Sequence, residues 1–124
     1  MIKNNVIQKA LSSAKNSQME RGRIGAVLFT NSGYVITFAS NVYYDGDSDK
    51  RSIHAEEYVL SKMLKISAIS RYKKINLLVV RYKMSNNNLA MAKPCINCQK
   101  LLKRFPELTV YYSNEKGKIC ELCI

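Results

Sequence analysis

Residues 75–82, Ile-Asn-Leu-Leu-Val-Val-Arg-Tyr, most limit what this chain can become. Their centre is apolar at every position rather than at alternate ones, which reads as a strand covered on both faces, as in a parallel pairing. Three helices are expected around it. Ile2, Val6, Ala10 and Ala14 stand four apart, with Ile7 and Leu11 beside them, so residues 2–18 form one face of an amphipathic helix that Arg21-Gly22 breaks. A second helix is expected over about 53–67, with Ser52 as N-cap and Val59, Leu60, Met63 and Leu64 facing inward. A third begins near Cys95, carries Cys98, Leu101, Leu102 and Phe105 at helical spacing as core residues, and ends at Pro106.

The remaining β-rich runs are 23–30 and 34–40, joined by the hairpin signal Asn31-Ser32-Gly33, and then 108–113. After a turn at 114–117, residues 118–124 suit a short last strand. Between the second run and the second helix lies a polar loop, 41–52. Its Asp45, Asp47 and Asp49 alternate as in a calcium loop, but the rest of that motif is missing and a solvated loop is expected.

A chain of 124 residues with 47% hydrophobic content should make one domain, 1–124, with its own core. Its start lacks the apolar stretch of about 7–15 residues that marks a secretory signal. No run reaches the roughly 18–20 apolar residues of a membrane span. A reducing cytoplasm is the expected setting, where four cysteines in two C-x-x-C pairs point to metal before disulfide. The net charge of +11 invites a nucleic-acid partner. Against that, 14 of the 20 basic residues are Lys and they are scattered without a block, as biased base composition alone would produce.

Chemistry concentrates in two stretches, Ser52-Ile-His-Ala-Glu-Glu57 and Lys93-Pro-Cys-Ile-Asn-Cys98. One imidazole and two thiolates, His54, Cys95 and Cys98, are the donor set of a catalytic zinc whose fourth position is left to water. Glu56, two residues beyond His54, can reach a water there without being a ligand, and Glu57 is its solvent-side neighbour. Both ligand groups fall at N-terminal ends of expected helices, where the backbone's partial positive charge favours thiolate.

H-x-E followed about 40 residues later by P-C-x-x-C is the signature of zinc deaminases, and the chain resembles the cytidine/deoxycytidylate deaminase superfamily over nearly its whole length. The resemblance implies a three-layer α/β/α fold with a mixed sheet of about five strands, the last two an antiparallel hairpin. It implies Zn2+ as cofactor and hydrolytic conversion of cytosine to uracil with release of ammonia, Glu56 carrying the protons. By the same resemblance Asn41 meets the ribose, Gly25, Ala26 and Val27 form a small-residue floor under the base, and the Ala55 N–H meets the pyrimidine carbonyl. Tyr43 and Tyr44 could stack on a base or pack against the rim.

Subfamily signals point two ways. The short link before the last strand resembles the branch handling free nucleosides, whereas His at position 54 resembles the deoxycytidylate and polynucleotide branch. A free nucleoside or nucleotide is the expected substrate, with single-stranded RNA or DNA as the alternative. Family members often form dimers or tetramers, so a homo-oligomer is expected without a fixed number. A non-enzymatic reading also stands. Cys95 and Cys98, with Cys120 and Cys123 after 21 intervening residues, come close to a four-thiolate structural zinc site.

Overall fold

The computed structural model describes residues 2–17, 22–43, 52–66, 69–72, 74–83 and 88–122, with backbone only for Val42, Tyr43, Ser52, Ile53 and Ser70. Strand β5 (Ile75–Lys83) is the middle of a six-stranded sheet. It runs antiparallel to β1 (Arg23–Phe29) on one side and parallel to β7 (Leu108–Ser113) on the other. Outside these lie β2 (Val35–Ser40), antiparallel to β1, and β8 (Ile119–Glu121), antiparallel to β7. The resulting order is β2-β1-β5-β7-β8, and the last two strands form the expected hairpin.

The continuous apolar run of β5 is explained by its two faces. Leu77 and Val79 join one core and Leu78 and Val80 the other, all four fully buried. Helix α1 (Asn4–Lys15) closes the second core, setting Val6, Ala10 and Ala14 against Val27, Phe29, Leu78 and Val80. Helices α2 (Ala55–Leu64) and α3 (Ile96–Leu102) close the first, where Val59, Leu60, Met63 and Leu102 meet Ala26, Leu28, Leu77 and Val110. Each fully buried leucine here contributes roughly 1.5–3 kcal/mol of apolar burial. Three layers result, α/β/α, as expected. Among the described residues no helix is long and apolar enough to cross a membrane.

Gly25 sets how closely α1 can lie on the sheet. A Cβ there would run into the Ala10 carbonyl oxygen and stand 2.6 Å from the Ala14 nitrogen, so only glycine fits beneath the helix.

The structure departs from the sequence reading in several places. Beyond the expected strands, β6 (Asn88–Ala90) folds back antiparallel onto Arg81–Lys83 of β5. A separate ladder joins β3 (Val42–Tyr43) to β4 (Ser52–Ile53) inside the expected loop. Ser52 therefore belongs to a strand and does not cap α2; the N-cap is His54, and the helix begins at Ala55. Helix α2 ends at Leu64, which is 69% exposed rather than inward-facing, lying beyond the turn through which Val59, Leu60 and Met63 are buried. The last strand covers only Ile119–Glu121. Asp45, Asp47 and Asp49 lie outside the described residues.

Candidate active site

Chain direction brings the site together from two sides of the sheet. At the end of β2, Asn41 leads into β3; Val42 pairs with Ile53 of β4, and His54 follows directly as the N-cap of α2. From the other side, β6 carries the chain past Ala92, whose N–H donates to the Ser113 carbonyl on β7 at 2.8 Å. Cys95 then stands as the N-cap of α3, with Cys98 one turn on. Neither N-cap side chain is spent on a capping hydrogen bond, so both imidazole and thiol are available as donors.

His54 Nδ1 lies 3.3 Å from Cys98 Sγ and 3.7 Å from Cys95 Sγ, and the three donor atoms lie within 4.8 Å of one another. Zinc bonds of ordinary length at tetrahedral angles make an N···S edge of about 3.5 Å. The three donors thus have the size of one face of a zinc tetrahedron, with Cys95 exposed and Cys98 buried. Burial pushes the Cys98 thiol well above its ordinary range, reinforced by the Glu56 carboxylate and by Cys95. Such a thiol ionises readily only opposite a cation, which a divalent metal supplies.

Glu56 is 4% exposed, and its Oε1 has no hydrogen-bond partner. Desolvation raises its carboxyl above the ordinary value, opposed by its own backbone N–H, by His54 and by a hydrogen bond with Cys98. An ionisable oxygen left bare in the interior is costly unless something outside the chain uses it. Glu57, one residue on, is exposed as expected.

Strand alternation divides the expected substrate floor. Ala26 is fully buried on the α2–α3 face, whereas Gly25 and Val27 point to the α1 side of the sheet and cannot share the floor with it. Ala55 is fully buried as the first residue of α2, so its N–H falls outside the helix ladder. Asn41, 6% exposed, is held within the protein: its Oδ1 accepts from the Ile24 N–H at 3.0 Å and its Nδ2 donates to the Gly22 carbonyl at 2.7 Å. Tyr44, Lys50 and Arg51 lie outside the described residues, as does the Tyr43 side chain.

Cys120 sits on β8 and accepts a hydrogen bond from Asn114 Nδ2 at 3.4 Å. It does not belong to the His54–Cys95–Cys98 group, and Cys123 lies outside the described residues. Two positioning residues escaped the sequence reading. Gln99 Nε2 donates to the Pro94 carbonyl at 2.8 Å and fixes the turn that presents Cys95. Ser113 Oγ donates to the Ala90 carbonyl at 2.6 Å and ties the arm bearing both cysteines to β7. A polar residue ending an otherwise β-rich run was the only signal for Ser113.

The family model for the cytidine and deoxycytidylate deaminase zinc-binding region matches residues 2–114. The fold is similar to that of the cytidine deaminase from Burkholderia pseudomallei, with a TM-score of 0.69 and 21% identity over 98% of this chain and 92% of that one. It is also similar to the dCMP deaminase from cyanophage S-TIM5 in complex with dCMP and dUMP (TM-score 0.59, 22% identity, 93% and 85% of the two chains). A third likeness is the cytidine deaminase from Mycobacterium tuberculosis, with a TM-score of 0.59 and 18% identity over 86% and 81%. No curated protein sequence matches the chain.

Proposed function

Because this chain belongs to the cytidine and deoxycytidylate deaminase family, we propose that it hydrolyses cytosine to uracil in a free nucleoside or nucleotide. Cytidine, deoxycytidine and their monophosphates are the substrates we have in view, with water consumed and ammonia released. One observation carries the reading: a buried carboxylate oxygen without a partner stands beside three donors sized for zinc. A structural zinc site closed by four protein ligands has no use for such an oxygen.

In this reading His54, Cys95 and Cys98 hold Zn2+. When bound, zinc supplies Lewis acidity that brings a water's pKa to about 7. Glu56 would take a proton from the attacking water and deliver it to the ring nitrogen as the oxygen adds to the carbon bearing the amine. It then moves a second proton to the amine, which leaves as ammonia while the new C–O bond becomes the carbonyl. Burial suits Glu56 to this exchange, because a raised carboxyl pKa makes it a better proton acceptor. Ala26 closes the floor, and the Ala55 N–H meets the pyrimidine carbonyl. For Asn41, the Nδ2 hydrogen not given to Gly22 is the group offered to the sugar.

The tail supports a small substrate. Asn114–Lys118 is a tight turn, with Asn114 Oδ1 accepting from the Lys116 and Lys118 N–H groups at 2.9 Å each, so β8 follows β7 with no helix between them against which to lay a strand. Side-by-side kinetics on cytidine, deoxycytidine, their monophosphates and a cytosine-bearing oligonucleotide, at two ionic strengths, test this. Faster turnover of the small substrates with little salt dependence is expected. A preference for the oligonucleotide that disappears with salt would instead favour a single-strand deaminase.

A further inference from the structure

We propose that the end of the sheet remote from His54 is a docking surface for single-stranded nucleic acid, separate from the deamination chemistry. The chain reaches His54 from the end of β2, beside the start of β1. The β1–β2 turn lies at the other end of the same strands, with Thr30 four residues beyond Ala26, about 13 Å along β1. Two adjoining cavities of about 270 and 530 Å³ share Thr30 and Asn31 there. Lys3 lines the first, Arg71 and Lys74 line the second, and among the described residues no carboxylate lines either.

Beside these cations stands an aromatic platform. Tyr34 is 60% exposed and stacks on Tyr72, with ring centroids 6.4 Å apart and planes 18° from parallel. Asn31 Oδ1 accepts from Asn76 Nδ2 at 2.8 Å, so its amide orientation is fixed and its amino group is left as a donor. An exposed, already stacked ring offers a π-face to an unpaired base, while flanking cations neutralise the phosphates on either side of it. Duplex bases keep their faces covered, so a single strand is the occupant that uses both features. This gives the net charge of +11 a role that leaves the substrate pocket small.

Fluorescence anisotropy with a labelled oligothymidylate of about twelve nucleotides tests the proposal on the zinc-loaded full chain, since thymine is no deamination substrate. Binding should weaken between about 50 and 200 mM salt. Combining Tyr34→Ala with Tyr72→Ala should weaken it at least tenfold, while the corresponding Phe pair keeps it. Arg71→Ala with Lys74→Ala should weaken it and flatten the salt dependence. Deamination of free cytidine or its monophosphate should be unchanged in all of these. Absence of wild-type binding at the lower salt would overturn the proposal. So would an equal loss from Lys100→Ala with Lys103→Ala, on α3 and at its C-cap, which would mean diffuse attraction. Equal affinity for a duplex, or displacement by a mononucleotide at matched phosphate concentration, would also exclude a single-strand surface.

Discussion

Ser17 Oγ lies 2.6 Å from Asn41 Oδ1 and 2.9 Å from the Asn41 carbonyl oxygen, so one hydroxyl proton is shared between two acceptors of the same residue. Together with the Ile24 N–H and the Gly22 carbonyl, this ties the segment after α1 to both strands of the first hairpin, at the point where the chain turns toward His54. Asn41→Asp puts an oxygen where Nδ2 now faces the Gly22 carbonyl. It should cost about 1–3 kcal/mol, and Ser17→Ala about 1 kcal/mol. Urea midpoints at constant slope measure both, and unchanged midpoints would mean that the knot bears no load.

Zinc content assigns the ligands. Cys95→Ser should retain little zinc by elemental analysis, and Cys120→Ser should stay stoichiometric. The reverse pattern would move the metal to the second cysteine pair.

Glu56→Gln separates chemistry from metal binding. It should hold zinc and lose about 10²–10⁴-fold in kcat, the scale of general acid–base catalysis. The metal-free variant should unfold at higher temperature than the metal-free parent, because an amide in that buried place costs less than a carboxylate with one oxygen unpartnered. Normal turnover would pass the role to Glu57.

Gly25→Ala should lift α1 from the sheet. The new methyl meets the backbone of Ala10 and Ala14, which cannot swing away as a flexible side chain would. A loss of about 1–3 kcal/mol is expected, with zinc stoichiometry retained because the donors sit on the opposite face. A neutral effect would mean that the α1 contact is softer than the geometry implies.

Long elements were legible in the sequence because burial imposes a period. The four-residue spacing from Ile2 to Ala14 shows one directly, whereas the unbroken apolar run at 75–82 marks a strand buried on both faces. Strands β3, β4 and β6 have two or three residues each and are held by a partner's backbone, so no pattern announces them. Ser52 has the chemistry of an N-cap, yet the chain pairs it with Tyr43 and starts the helix after His54. The cluster of His54, Cys95 and Cys98 was readable because His and Cys are rare elsewhere in the chain. The expected floor was only partly so: the pleat puts Ala26 on the α2–α3 face and Gly25 and Val27 on the α1 face. Tyr44 and Cys123 lie outside the described residues.

The imidazole is separated from its two thiol partners by 41 and 44 positions along the chain. Its arm hangs from β2 through the β3–β4 ladder, while theirs hangs from β5 and β7 through β6 and Ser113. No local fragment contains the whole donor set, so a chain with an unfinished sheet has no metal site to offer. Zinc held there would therefore select the native state by mass action, adding about 4 kcal/mol when free metal stands a thousandfold above its dissociation constant. Metal retention during refolding should appear late, after the non-local pairing of β1, β5 and β7, and so keeps time for the slowest part of folding.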